Sequence, residues 1–208
     1  IMQLVDVWGW TCAVVGSFIS LPQVLRLLRA HTSAGISLLM WQLSCAASVA
    51  WVFHGLRGDW WNITIPNALI AVTGVLIMNM VISDRRLNPV RTWGLVAAVA
   101  AALVAVEYLT TPALFGAAVL IPLAIGMLGQ TRDLLRAPNL GGVSGVYLGL
   151  VALIQYMWLS WGIAVGDVSI VICATVLGVI SGFNLVWFVL RDRGRVAARP
   201  RLATAGVA

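Results

Sequence analysis

The sequence predicts an all-α membrane protein: seven transmembrane helices forming two parallel three-helix-bundle repeats joined by a linker helix, three plus one plus three. Three observations carry this. The 208-residue chain is 61% hydrophobic and only 10% charged, where a soluble domain has about 25% charged residues. Its apolar residues fall in seven long runs, most near the ~20 residues that cross a hydrocarbon core. The chain also repeats itself, laying Gln23 on Gln130 at an offset of 107 residues.

The runs place spans at 4–28, 36–56, 62–83, 92–110, 113–134, 142–164 and 167–190. They are continuous rather than alternating, which selects helices over barrel strands. The first has neither a basic leader nor a small-residue cleavage pattern, so it reads as a retained helix. Cys12, Cys45 and Cys173 fall inside spans without metal-type spacing; no metal and no cofactor is expected.

A net charge of +6 raises the question of nucleic acid, and the placement of the charge answers it. All thirteen basic residues are arginines. Arg26 and Arg29, Arg85, Arg86 and Arg91, Arg132 and Arg136, and the five from Arg191 to Arg201 occupy alternate connections and the tail. Only Arg57 lies on the other side. This positive-inside bias puts the N-terminus outside and the C-terminus in the cytoplasm of a multi-pass cell-membrane protein. Asp6, Asp59, Glu107 and Asp167 then lie at outer ends, and Asp84, Asp133 and Asp192 among the inner arginines. No carboxylate falls mid-span, and no nucleic-acid partner is needed.

The repeat sets "SLPQVLRLLRAHTSAGISLLMWQLSCAASVAWVFHG" on "MLGQTRDLLRAPNLGGVSGVYLGLVALIQYMWLSWG", with about eleven identities in roughly forty positions. Several are polar or small, among them Ser37 on Ser144 and Gly55 on Gly162, and two are Trp51 on Trp158 and Arg29 on Arg136. Each unit holds three helices, and one extra helix restores parallel orientation. The expected divisions are 1–86 for the first repeat, 87–111 for the linker helix, 112–191 for the second repeat and 192–208 for a basic cytoplasmic tail. Parallel repeats about an axis along the membrane normal are a transporter pattern with the site at the repeat interface.

The ordered set "LPQVLR", "TSAGISLLMW", "AWVFHGLRGD" and "IPNALIAVTG" resembles the PQ-loop superfamily, specifically the SWEET and SemiSWEET sugar transporters. The resemblance covers nearly the whole chain. It implies paired three-helix bundles around a central path, and a pocket built from a tryptophan on the second helix and the asparagine of a "PN" pair on the third, here Trp51 and Asn67. The residues agree: Trp51 and Asn67 lie eight positions either side of Asp59, on antiparallel helices, so both sit roughly 12 Å below the turn. An aromatic face and an amide suit a sugar, which has apolar C–H faces and polar rims. In the second unit Trp158 keeps the aromatic. The place of Asn67 falls at Ala174 by the ungapped offset, or at Thr175 if Asp59 is set on Asp167; Thr175 is polar and at the depth of Trp158, and is the preferred residue. The competing role for Trp51 is the aromatic belt occupied by Trp8, Trp10, Trp60 and Trp61. Asn79 and Asn184 read as interhelix ties.

Pro22 removes a helix hydrogen bond just before the inner arginines, so Pro22 and Gln23 read as an inner gate or hinge. In the second unit Gly129 replaces Pro22, Gln130 is kept, and Pro122 lies about two turns earlier. His54, Arg57 and Asp59 read as either solvated loop charge or an outer gate closed by an Arg–Asp pair. His31 has no specific role.

The function expected is a sugar uniporter working by alternating access, not an enzyme, with a small-molecule substrate and the bilayer as partners; homo-oligomer formation is left open. The alternatives are a proton-coupled transporter of amino acids or other small metabolites, for which Glu107, on the linker helix near the membrane surface, is the one candidate, and a cargo receptor on the same fold. A retinal protein is excluded by the absence of lysine.

Overall fold

In the computed structural model the described residues are 3–30, 33, 37–136, 140 and 145–197, with the side chains of 19–30 and 133 outside that description. They form seven helices: α1 (Leu4–Ala30), α2 (Leu38–Arg57), α3 (Trp61–Asp84), α4 (Pro89–Leu109), α5 (Pro112–Arg136), α6 (Gly145–Val165) and α7 (Val168–Asp192). Six of these, α2 to α7, are long and apolar enough to cross a bilayer, and α1 contributes the apolar stretch Leu4–Phe18. The tail beyond 197, His31 and the side chains of Pro22 and Gln23 lie outside the described residues.

Local chemistry starts and stops the helices where polar residues interrupt the apolar runs. Ser37 accepts a hydrogen bond from the Met40 amide at the head of α2. Asn88 does so from Arg91 ahead of Pro89 in α4, and Asp167 from Ile170 at the head of α7. Each side chain satisfies an amide that the first helical turn leaves without a carbonyl partner.

Within each unit the third helix is central: α3 packs on α1 and α2, and α7 on α5 and α6. The units meet through α1 on α6 and α2 on α5, two junctions related by the repeat, while α4 packs on α2 and α5. Asn79 accepts a hydrogen bond from Trp93 Nε1 between α3 and α4, and Asn184 accepts one from Thr131 between α5 and α7. Both asparagines are therefore interhelix ties, as expected.

The repeat holds in three dimensions. In the α2–α3 turn the Trp60 amide donates to the Gly55 carbonyl at 2.8 Å, and in the α6–α7 turn the Asp167 amide donates to Gly162 at 2.9 Å. The left-handed residues of these turns are Asp59 (φ 54°) and Gly166 (φ 74°). Close approaches recur as well. A Cβ on Gly9 would meet Asn62, and one on Gly116 would meet Ser169; likewise Gly55 faces Thr64, and Gly162 faces Ile170 and Val171. These pairs keep the offset of Gln23 on Gln130, so Asp59 corresponds to Gly166 and not to Asp167. At the other end Arg86 (φ 49°) and Gly194 (φ 66°) correspond, one residue further along, because α3 has 24 residues and α7 has 25.

The two ends of the molecule differ in kind. At the arginine end Ser33 donates its amide and hydroxyl to Asp84 Oδ2 at 2.8 and 2.6 Å and accepts from Arg85, while Arg191 donates to the Leu134 carbonyl. The opposite end, with the α2–α3, α4–α5 and α6–α7 connections, is called the turn end below.

Candidate functional site

An apolar cluster lies between the units at the turn end. It joins Cys12 of α1, Ile63 of α3, Ile154, Met157 and Trp161 of α6, and Ile170 and Ala174 of α7, with Trp51 and Trp158 packed against it. Trp51 and Trp158 are both only half-buried. Trp51 also packs on a second cluster that includes Ala47, Phe115 and Leu177, and its ring meets Phe115 edge-on with centroids 5.3 Å apart. Trp158 meets Trp161 edge-on at 5.7 Å. Opposite Trp158, α1 presents Gly16, where a Cβ would stand 3.8 Å from the indole nitrogen. The smallest side chain thus leaves one flank of this tryptophan uncrowded.

Asn67 lies one turn after Ile63, on the side of α3 that faces the cluster, and is half-buried. Its Nδ2 donates to the Ile63 carbonyl at 2.9 Å. This fixes the amide along its own helix beside Pro66, which has no amide hydrogen to donate. Among the described residues its Oδ1 accepts no hydrogen bond. In the second unit Ala174 follows Ile170 at the same interval and belongs to the cluster. Thr175 instead lies on the exposed stripe of α7 with Val168, Val179 and Val186. The preference for Thr175 over Ala174 is thereby reversed: it depended on setting Asp59 on Asp167, and the turn dihedrals set Asp59 on Gly166.

Above the cluster, at the turn end, sits a group of ionisable side chains. His54 Nε2 is 3.0 Å from Asp167 Oδ2, and Nδ1 is 3.1 Å from Glu107 Oε2. His54, Glu107 and Asp167 are each only 5–6% exposed. The Nε2 contact is a well-formed hydrogen bond; the Nδ1 contact is a close charge contact set off the hydrogen-bonding direction. Asp167 serves two elements at once, since its Oδ1 caps α7 through the Ile170 amide at 2.7 Å. Arg57 places its guanidinium on Glu107, 3.4 Å from Oε1 and against the backbone carbonyl, with Tyr108 beneath it. The rings of Phe115, Trp51 and Trp60 enclose the imidazole, Phe115 stacked on it at 4.9 Å.

This arrangement corrects two expectations. Arg57 pairs with Glu107 and not with Asp59, which is exposed and accepts a hydrogen bond from Trp61 Nε1. Glu107 lies in the last turn of α4, at the turn end, but is buried between helices rather than open to solvent, because α4 packs along α2 and turns its one carboxylate inward. The signal available in sequence was that His54, Glu107 and Asp167 all fall at outer helix ends. Nothing in their spacing says that they converge.

Of the residues expected at the inner hinge, Pro122 is buried inside α5, Gln130 is half-buried, and Gly129 is exposed with open space where a Cβ would stand. Helix α5 runs through all three, and α1 runs through Pro22 and Gln23.

No family model matches the chain, and no curated protein matches it. Among solved structures it is similar to a eukaryotic SWEET transporter determined at 3.7 Å resolution, with TM-score 0.71, 15% sequence identity, and coverage of 92% of this chain and 100% of that one. The likeness covers most of the chain and shows the same fold.

Proposed function

We propose that the protein is a membrane transporter whose substrate is a small sugar, bound between the two units and released to either side as they rock about it. The observation that carries this is the pair Trp51 and Trp158. They occupy the same position in the two repeats, pack on one cluster at the unit interface and are each only half-buried. Half-buried indoles at the interface of two helix bundles suit the C–H faces of a sugar ring, and the Asn67 Oδ1 offers an acceptor for its hydroxyls. Ala174 in the fourth place makes the site one-sided, polar toward α3 and apolar toward α7.

The turn end is the outer mouth and the arginine end faces the cytoplasm, following the charge bias. Pro22 and Gln23 in one unit, and Pro122, Gly129 and Gln130 in the other, are the points at which the inner end gives way. His54 and Arg57, with Glu107 and Asp167, hold the outer end shut; Asp59 shapes the turn beside them. Substrate moves down its own gradient.

A counterflow screen of mono- and disaccharides in proteoliposomes tests this reading. Exchange of at least one sugar is expected, reduced tenfold or more in Trp51→Ala and Asn67→Ala. Failure of every sugar to exchange contradicts the substrate class, and unchanged exchange in both variants contradicts the site.

A further inference from the structure

Three ionisable groups from three different elements meet in the buried interior of the turn end, and only Asp167 has a structural task besides, the cap of α7. His54 belongs to the first unit, Asp167 to the head of the second, and Glu107 to the linker. Both ring nitrogens of His54 face carboxylate oxygens, and only an imidazolium carries a hydrogen on each nitrogen. In that state the group is balanced: His54 and Arg57 offset Glu107 and Asp167. When the imidazole loses one proton, a lone pair faces a carboxylate and the buried group carries an excess negative charge, the unfavourable case in low dielectric.

We propose that His54, Glu107 and Asp167 form a proton-binding site that latches the first unit to the second at the turn end while His54 carries both protons, and unlatches them when one proton leaves. This rests on the reading of the turn end as the outer mouth of an alternating-access transporter. The two carboxylates approach the imidazole from its two nitrogens, on different sides, and do not converge on one point. The ligand the site takes is therefore a proton.

The surroundings leave the histidine as the group whose charge decides the balance. Helix α5 presents Phe115, the α2–α3 turn presents Trp60, and α2 itself presents Trp51 and Arg57. The charged residues of α5 are Arg132, Asp133 and Arg136 at the arginine end, α3 carries only Asp84 there, and α6 has none. Asp6 of α1 is exposed and takes the Gln3 amide, and Asp59 is exposed on Trp61. Between the latch and the arginine end the described residues hold no further histidine or carboxylate on which a proton could pause. The proton enters and leaves on the outer side, so it regulates opening and does not drive transport.

The chain has two histidines, which makes the test direct. In a His31→Asn background with ring-labelled histidine in lipid nanodiscs, NMR reads the charge of His54 over about pH 5 to about 9. In parallel, spin labels at Leu56→Cys and Ala164→Cys, exposed positions on the two units, report the width of the turn end. For this the native Cys12, Cys45 and Cys173 are replaced by alanine. The expected result is a longer-distance population that grows with rising pH, with the same midpoint as the His54 titration, and that loses its pH dependence in His54→Gln. Asp167→Asn, which keeps the helix cap, is expected to move both midpoints together. A His54 that does not change charge over this range overturns the proposal. So does a distance that stays constant while His54 titrates, or one that keeps its pH dependence in His54→Gln. Sugar accumulation above equilibrium under an imposed proton gradient overturns regulation in favour of coupling. Neither spectroscopic readout uses a sugar, so an absence of counterflow contradicts the transport reading and leaves the latch to be decided by its own two midpoints.

Discussion

At the turn end α2 meets the head of α7 through His54 and Asp167, 3.0 Å apart. In the other junction α6 meets the head of α3 through Trp161 and Trp60, whose ring centroids lie 5.7 Å apart. These are the same positions of the repeat: Trp161 stands where His54 does, and Trp60 where Asp167 does. One junction closes with charge and the other with aromatic surface. The linker adds to the difference, because α4 packs chiefly along α2 and brings Glu107 to the His54 side. An aromatic contact is indifferent to pH, whereas a contact between a histidine and two acids is not. A duplicated scaffold with one added helix has thereby acquired one fixed and one adjustable side.

The largest expected effect comes from breaking the charged junction. Asp167→Ala leaves the buried His54 Nε2 without its carboxylate and removes the α7 cap, and a loss of about 3–5 kcal/mol is expected in reversible unfolding. Asp167→Asn should be milder by about 1 kcal/mol, because an asparagine still caps the helix. Equal losses would show that the cap contributes nothing.

Next come the two close approaches that position the heads of α3 and α7. Gly116→Ala would drive a methyl to 2.7 Å from Ser169 backbone atoms, which shift only with the helix, whereas Gly9→Ala meets side-chain atoms alone, the Asn62 amide and the Trp161 indole. We expect Gly116→Ala to cost about 2 kcal/mol and Gly9→Ala less, as overpacking against movable atoms relaxes. The reverse order in thermal melts would contradict the backbone geometry of the second unit.

The aromatic junction should respond weakly and without pH dependence. Trp161→Phe keeps an aromatic ring but loses the hydrogen bond from the indole to the Val5 carbonyl, a loss of about 1 kcal/mol. Measured at acid and alkaline pH, that loss should be the same; a pH-dependent loss would merge the two junctions into one system. Smallest is Arg57→Gln. The Arg57 side chain is 46% exposed, so its pairing with Glu107 is worth under about 1 kcal/mol.

The fold was largely legible in the sequence because its cause is local. Continuous apolar runs give the helices, and identities at Gln23, Ser37 and Gly55 give the repeat, since shared hydrophobicity does not demand a polar or small residue at a fixed place. Trp51 and Trp158 emerged in the same way, and the structure packs both on one cluster. The counterpart of Asn67 is not legible from residue type: matching Asp59 to Asp167 points to Thr175, whereas the backbone follows conformation, Asp59 on Gly166, and points to Ala174. The ionic group was not legible. His54, Glu107 and Asp167 are separated by more than fifty residues each, and each alone resembles a solvated helix end. Their meeting depends on how α4 lies against α2, which no local pattern encodes.

The claim that a central site opens to both sides is tested most directly at Asn67. In a chain whose three native cysteines are alanine, Asn67→Cys is exposed to a membrane-impermeant thiol reagent from one side or the other of oriented vesicles. The account predicts labelling from either side, slowed by a sugar that shows counterflow. Labelling from one side only, or from neither, would contradict alternating access around this residue.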